Sequence, residues 1–231
     1  MKGVTFDFGQ TLAELDADMV VRRVAERGAS LSAARLGAET PAAWEAYGAA
    51  KRAGLVARDA WCTFMRTLLE RAGAEGQAAV ELSEWLWDEQ PKQNLWRKPI
   101  AGMFELVREL FDAGVPLGMV SNSEGKLSEL CSELGLRAYF GSFADSGALG
   151  FEKPDRRIFD FVSQGLGVEG SELVHVGDAW DADVVGAIGA GWRAIWFAPA
   201  GARVLPEGVR AARDAAEVRL ALVELGLSAL R

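Results

Sequence analysis

The chain has 231 residues, half of them apolar, which is enough to bury the core of one large domain with a smaller insertion and makes disorder a poor description. Its 33 acidic and 25 basic residues leave a net charge of -8, which disfavours nonspecific nucleic-acid binding and points to a small-molecule partner. No apolar run is long enough to span a bilayer and no basic-then-apolar leader precedes the first strand, so a cytoplasmic protein with no membrane partner is expected.

In chain order, residues 3–8 read as a short apolar strand ended by Gly9, and the next strand of similar quality, 115–120, lies more than a hundred residues on. The interval reads as four helices, at about 17–27, 41–53, 58–72 and 77–89, punctuated by Gly28, Gly54, Gly73 and Gly76. Trp44, Trp61, Trp85 and Trp87 fall in this stretch at helical spacing, which predicts packing residues of a small bundle. From Met103 the pattern alternates. Met103, Leu106, Val107 and Leu110 make a helical face, strand 115–120 follows, and Leu127, Leu130, Cys131 and Leu134 make a second face. Further strands are expected at 142–145, 173–176 and 194–197, with Val184, Val185 and Ile188 on a helix between the last two and a closing helix at 214–225. Five strands with intervening helices predict a doubly wound α/β parallel sheet, a Rossmann-like core built from residues 1–13 and 98–231, with a helical insertion at 14–97. Cys62 and Cys131, the only cysteines, are expected as free thiols in a reducing compartment.

Four groups of polar residues follow apolar strands, and in an open parallel sheet the carboxyl ends of strands converge on one crevice. Asp7 closes a fully apolar strand in VTFDFGQTL, a costly place for a carboxylate without a compensating partner or metal. Ser121 ends the strand PLGMVS, and Asn122 and Ser123 are suited to cap a helix starting near Glu124, whose free N–H groups favour an anion. Lys153 lies in GFEKPD, with Pro154 at a first helical position. Asp178 and Asp183 stand five apart across a strand-to-helix turn in VHVGDAWDAD, a set of hard oxygen donors suited to Mg2+. His175, the only histidine, sits inside the apolar strand and reads as a satisfied core residue.

These four motifs, in this order, resemble those of the haloacid dehalogenase-like (HAD) hydrolase superfamily, and the helical insertion resembles the cap of its phosphoglycolate-phosphatase-like branch. The resemblance implies a Mg2+-dependent phosphatase acting on a small phosphorylated metabolite, as a monomer or homodimer. It makes Asp7 the nucleophile, with Thr11 bracing its loop, and gives the phosphoryl oxygens to the Ser121 hydroxyl and the Asn122 backbone N–H. Lys153 offsets negative charge, and the metal falls to Asp7, the Gly9 carbonyl and Asp178, with Asp183 in support.

One position departs from the pattern. The family's phosphatases carry Asp-x-Asp-x-Thr, whereas this chain reads Asp7, Phe8, Gly9, Gln10, Thr11. The missing second aspartate is the general acid and base, whose loss typically slows a reaction about a hundred- to ten-thousand-fold. A slow or specialised hydrolase and a degenerate protein that binds a phosphorylated ligand or protein partner are therefore both consistent with the motifs. Two further branches lack that acid. A phosphonatase-like enzyme would use a cap lysine, for which Lys51 is the candidate, and a dehalogenase-like enzyme would not need the retained Asp178 and Asp183.

Overall fold

The computed structural model describes residues 1–55, 57–198 and 203–230. Its core is a six-stranded sheet in the order β5-β4-β1-β6-β7-β8, formed by β1 (Gly3–Phe6), β4 (Leu117–Ser121), β5 (Ser142–Asp145), β6 (Leu173–Gly177), β7 (Arg193–Phe197) and β8 (Val209–Ala212). Every pairing in it is parallel. Strands β1, β4 and β6 are buried at every position, which explains why they read as continuous apolar runs rather than as alternating ones. From β1 the chain builds outward through β4 to β5, then returns to lay β6 on the other side of β1 and continues to β7 and β8. The order reverses between β1 and β6, and ligands of such sheets bind outside the carboxyl ends at that reversal.

Helices α5 (Met103–Asp112), α6 (Leu127–Glu133), α8 (Arg156–Leu166) and α10 (Ala215–Glu224) connect and flank the strands, with short helices α7 (Ser146–Leu149) and α9 (Gly186–Gly189) between them. The face foreseen on α5 is the buried one, Met103, Leu106, Val107 and Leu110. On α8, Ile158, Phe159 and Val162 are buried in a cluster that also takes in Val120, Leu173, Val184 and Trp192. Residues 180–185 run as one wide π-helical turn before α9, so the helix expected around Val184 is short and irregular.

The contacts divide the chain into one unit of Met1–Glu14 with Trp96–Arg231 and a second of Leu15–Leu95. At the two crossings lie β2 (Ala13–Leu15) and β3 (Trp96–Pro99), which form a two-stranded sheet of their own. The second unit holds α1 (Ala17–Ala25), α2 (Ala33–Arg52), α3 (Ala57–Ala72) and α4 (Gly76–Glu89). Helix α2 starts eight residues before the expected position and carries Pro41 in its interior. Ser32 caps it through the Arg35 N–H, and the buried stripe Leu36, Ala43, Ala50 continues on both sides of the proline. Packing against α1 and α3 thus outweighs a local break of about 3 kcal/mol. The tryptophans lie between helices rather than at the centre. Trp44 packs on Phe64 at 4.5 Å, Trp61 meets Trp87 edge-on, and Trp85 lies beneath the guanidinium groups of Arg23 and Arg27. Phe64, Met65, Leu68, Leu69 and Leu86 form the buried interior.

Both cysteines are free, and burial pushes the Cys62 thiol up to about 11 and Cys131 up to about 12. Among the described residues no helix is long and apolar enough to cross a membrane.

Candidate active site

Asp7 follows the last residue of β1 and Asp178 the last residue of β6, so the two carboxylates flank the reversal of strand order. The Asp7 N–H is anchored to the Val176 carbonyl at 2.8 Å. Between them stands Lys153. Its ammonium donates to Asp7 Oδ1 at 2.7 Å, to Asp183 Oδ1 at 2.6 Å and to the Val120 carbonyl at 2.8 Å, which uses all three of its protons. Carboxylate oxygens of Asp7, Asp178 and Asp183 lie within 4.8 Å of one another.

Burial and charge act against each other here. Desolvation pushes Asp7 above the ordinary carboxylate range; Lys153 opposes that shift and Asp183 adds to it. Asp178 is driven further up, by desolvation first and then by Asp183 and Asp7. Asp183 goes the other way: burial would raise it, but Lys153 and His175 outweigh burial and hold it ionised. For Lys153 desolvation is likewise overcome, by Asp183 and Asp7, so the ammonium stays charged. Three carboxylates around one ammonium leave a surplus of negative charge, and the donors are all hard oxygens, so the cluster fits a small divalent cation such as Mg2+.

His175 is fully buried and both ring nitrogens are partnered, with Nδ1 2.9 Å from the Thr5 hydroxyl and Nε2 3.1 Å from Asp183 Oδ1. The ionised carboxylate can only accept, so Nε2 carries the proton and the Thr5 hydroxyl donates to Nδ1. Desolvation holds the imidazole neutral, below its usual range. The core histidine expected from the sequence thus also steadies Asp183. Gly177 makes this possible, because a β-carbon there would sit 2.3 Å from Cγ of Asp183. Gly177→Ala is expected to cost roughly 1–3 kcal/mol of overpacking, read as a lower midpoint in urea; an unchanged midpoint would show that Asp183 can move aside.

Ser121 ends β4, and its hydroxyl lies close enough to Asp7 to favour the charged form of that carboxylate. Helix α6 begins at Leu127 rather than near Glu124, and neither Asn122 nor Ser123 caps it. The cap comes from the next strand: Asp145, at the end of β5, accepts from the N–H groups of Gly125 and Leu127, both at 2.9 Å. Asn122 instead grips Lys153, its Oδ1 accepting from the Lys153 N–H at 2.8 Å and its Nδ2 donating to the Lys153 carbonyl at 3.1 Å. Pro154 precedes α8, whose cap is Asp155. Asp145 escaped the sequence reading although, like Asp7, it is an acid closing an apolar strand.

In the loop after Asp7, the Phe8 carbonyl accepts from Leu12 and Ala13. Thr11 is fully buried and its hydroxyl has no hydrogen-bond partner among the described residues, so the bracing expected of it is not made there through that oxygen. A β-carbon at Gly9 would lie 3.5 Å from Cδ1 of Trp96 and 3.8 Å from its Nε1, ordinary contact distances.

Fold and cluster together define a Rossmann-like α/β protein with a buried acid and lysine centre at the strand-order reversal. The model of the haloacid dehalogenase-like hydrolases matches residues 1–191, and the chain belongs to that family. It is 28% identical over 158 residues to haloacid dehalogenase-like hydrolase domain-containing protein 3 of Bos taurus, covering 68% of this chain and 62% of that one. It is 34% identical over 149 residues to the phosphoserine phosphatase of Thermus thermophilus, covering 62% and 58%. The chain therefore spans about 62% of the length of the first of these relatives. Among solved structures, the Bacillus subtilis protein YfnB, bound to magnesium, superposes with a TM-score of 0.71 at 22% identity over 98% of this chain and 99% of that one, a likeness of fold.

Proposed function

We propose that the chain is a Mg2+-dependent phosphatase that acts on a small phosphorylated metabolite through a phosphoryl group carried on Asp7. The observation that carries this reading is the Lys153 ammonium, bound at once to Asp7 and Asp183 with Asp178 in reach. Asp7, through the carboxylate oxygen that Lys153 does not hold, attacks phosphorus; the bond to the leaving oxygen breaks, and water later releases phosphate from the aspartyl-phosphate. Lys153 and its Asp183 counter-charge hold Asp7 in place and offset the charge that gathers on the transferred group. The Ser121 hydroxyl and Asn122 N–H receive phosphoryl oxygens, and Thr11 offers a hydroxyl with hydrogen-bonding capacity to spare. Asp7, the Gly9 carbonyl and Asp178 would hold the cation, with Asp183 behind them. When bound, it supplies positive charge to the phosphoryl oxygens. The unit Leu15–Leu95 serves as the cap that selects the substrate. The phosphatase relative supports a phosphate ester as the substrate class.

A panel of aryl and alkyl phosphate esters assayed with Mg2+ and with a chelator tests this. Turnover is expected with Mg2+ only and is expected to vanish in Asp7→Asn. Silence on every ester, or an active Asp7→Asn, would remove the phosphatase reading.

A further inference from the structure

Strand β7 lies beside β6 with Trp196 opposite Gly177, the residue before Asp178. From there the Trp196 indole Nε1–H donates to the main-chain carbonyl of Asp178 at 2.9 Å. The N–H of the same peptide unit belongs to Ala179 and donates to Asp183 Oδ2 at 2.8 Å. One planar group, between Asp178 and Ala179, is thus held at both of its polar ends, the carbonyl by β7 and the N–H by Asp183. Because the unit is rigid, fixing both ends fixes its orientation, and with it the direction in which the Asp178 side chain leaves the backbone. The indole is itself seated. Trp180 meets it edge-on at 5.1 Å, and the Arg203 guanidinium lies 4.2 Å from the Trp180 ring and 5.6 Å from the Trp196 ring. Asp178 offers a carboxylate oxygen within 4.8 Å of those of Asp7 and Asp183, and an acid set this close to two others needs such a restraint to stay aimed at them.

We infer that Trp196 is a positioning residue for Asp178, which it keeps aimed into the acidic cluster by clamping the following peptide plane. The inference rests on the reading of Asp178 as a donor to a divalent cation. A donor reaching across from a neighbouring strand must be long, rigid and unable to accept, and indole meets all three conditions. Phenylalanine keeps an aromatic ring but drops the N–H, whereas histidine is smaller but restores one, so the two variants together separate the hydrogen bond from the packing.

The test is titration calorimetry with Mg2+ on the full chain. Trp196→Phe is expected to weaken Mg2+ about tenfold, the low end of losses seen when a ligand's supporting partner is removed. Trp196→His, which returns a ring N–H at the same position, is expected to bind more tightly than Trp196→Phe, whereas a packing role alone would rank the smaller ring lower. Trp192→Phe is the control, since the Trp192 indole is buried in the same unit and its Nε1 has no partner among the described residues. It is expected to leave Mg2+ affinity as it was. Thermal unfolding without Mg2+ establishes that each variant is folded. Natural affinity in Trp196→Phe, or Trp196→His below Trp196→Phe, overturns the inference alone. A natural protein that takes up no Mg2+ overturns both the inference and the metal reading beneath it.

Discussion

Replacing Gly9 with aspartate is expected to raise turnover of alkyl phosphates about a hundredfold, the lower end of what a positioned general acid contributes, while changing aryl phosphates far less. The reason lies in what surrounds Asp7. Lys153 has spent its protons on three acceptors, and His175 is buried with both nitrogens engaged. In the catalytic unit neither is placed to hand a proton to a leaving alkoxide. An aryl oxide departs unaided, so the natural protein should favour aryl over alkyl esters strongly, and the added acid should narrow the gap. The new β-carbon would meet Trp96 at ordinary contact distance, and Gly9 is not among the residues of positive φ, so the backbone accepts a side chain. Equal natural rates on both ester classes would show that another group already donates the proton.

Lys153→Met is expected to destabilise the fold by about 3–5 kcal/mol, the cost typical of removing one partner from a buried ion pair. Lys153 and Asp183 are almost wholly inaccessible, with side-chain exposures of 2% and 1%, and Asp7 stands at 11%. Without the ammonium, three carboxylates would face one another with no protein cation against them. Urea unfolding of the metal-free protein reads the loss directly, and Mg2+ should return part of it to the variant by binding only the folded form. A loss below about 1 kcal/mol would mean that the acids shed their charge by protonation instead.

Much of this arrangement was legible because β1, β4 and β6 are buried on both faces and leave unbroken apolar runs ending in Asp7, Ser121 and Gly177. The residues that carry chemistry sit where those runs stop, so motif order and strand order can be read together. What escaped has a common cause. Strand β8 is four residues, VRAA, with only Val209 and Ala212 buried, too short and too polar to stand out. Strands β2 and β3 exist because each pairs with the other across the whole insertion. Asp145, the Asn122 grip on Lys153 and the Trp196 bond to Asp178 are likewise contacts between distant segments, and a local pattern does not register them. Pro41 misled in the opposite sense, as a strong local signal overridden by packing.

The place of β1 at the middle of the sheet also bears on how the molecule is made. Its neighbours are β4 and β6, whose first paired residues are Leu117 and Leu173. Of the strands in this sheet β1 is therefore made before its partners, and its pairing is completed only once Leu173 has followed. Meanwhile Leu15–Leu95 is continuous in sequence and built from helices that pack on their sequence neighbours, the kind of topology that folds early. During synthesis a finished helical unit is expected to trail an unpaired apolar strand bearing Asp7, a segment exposed to wrong pairing until β6 arrives.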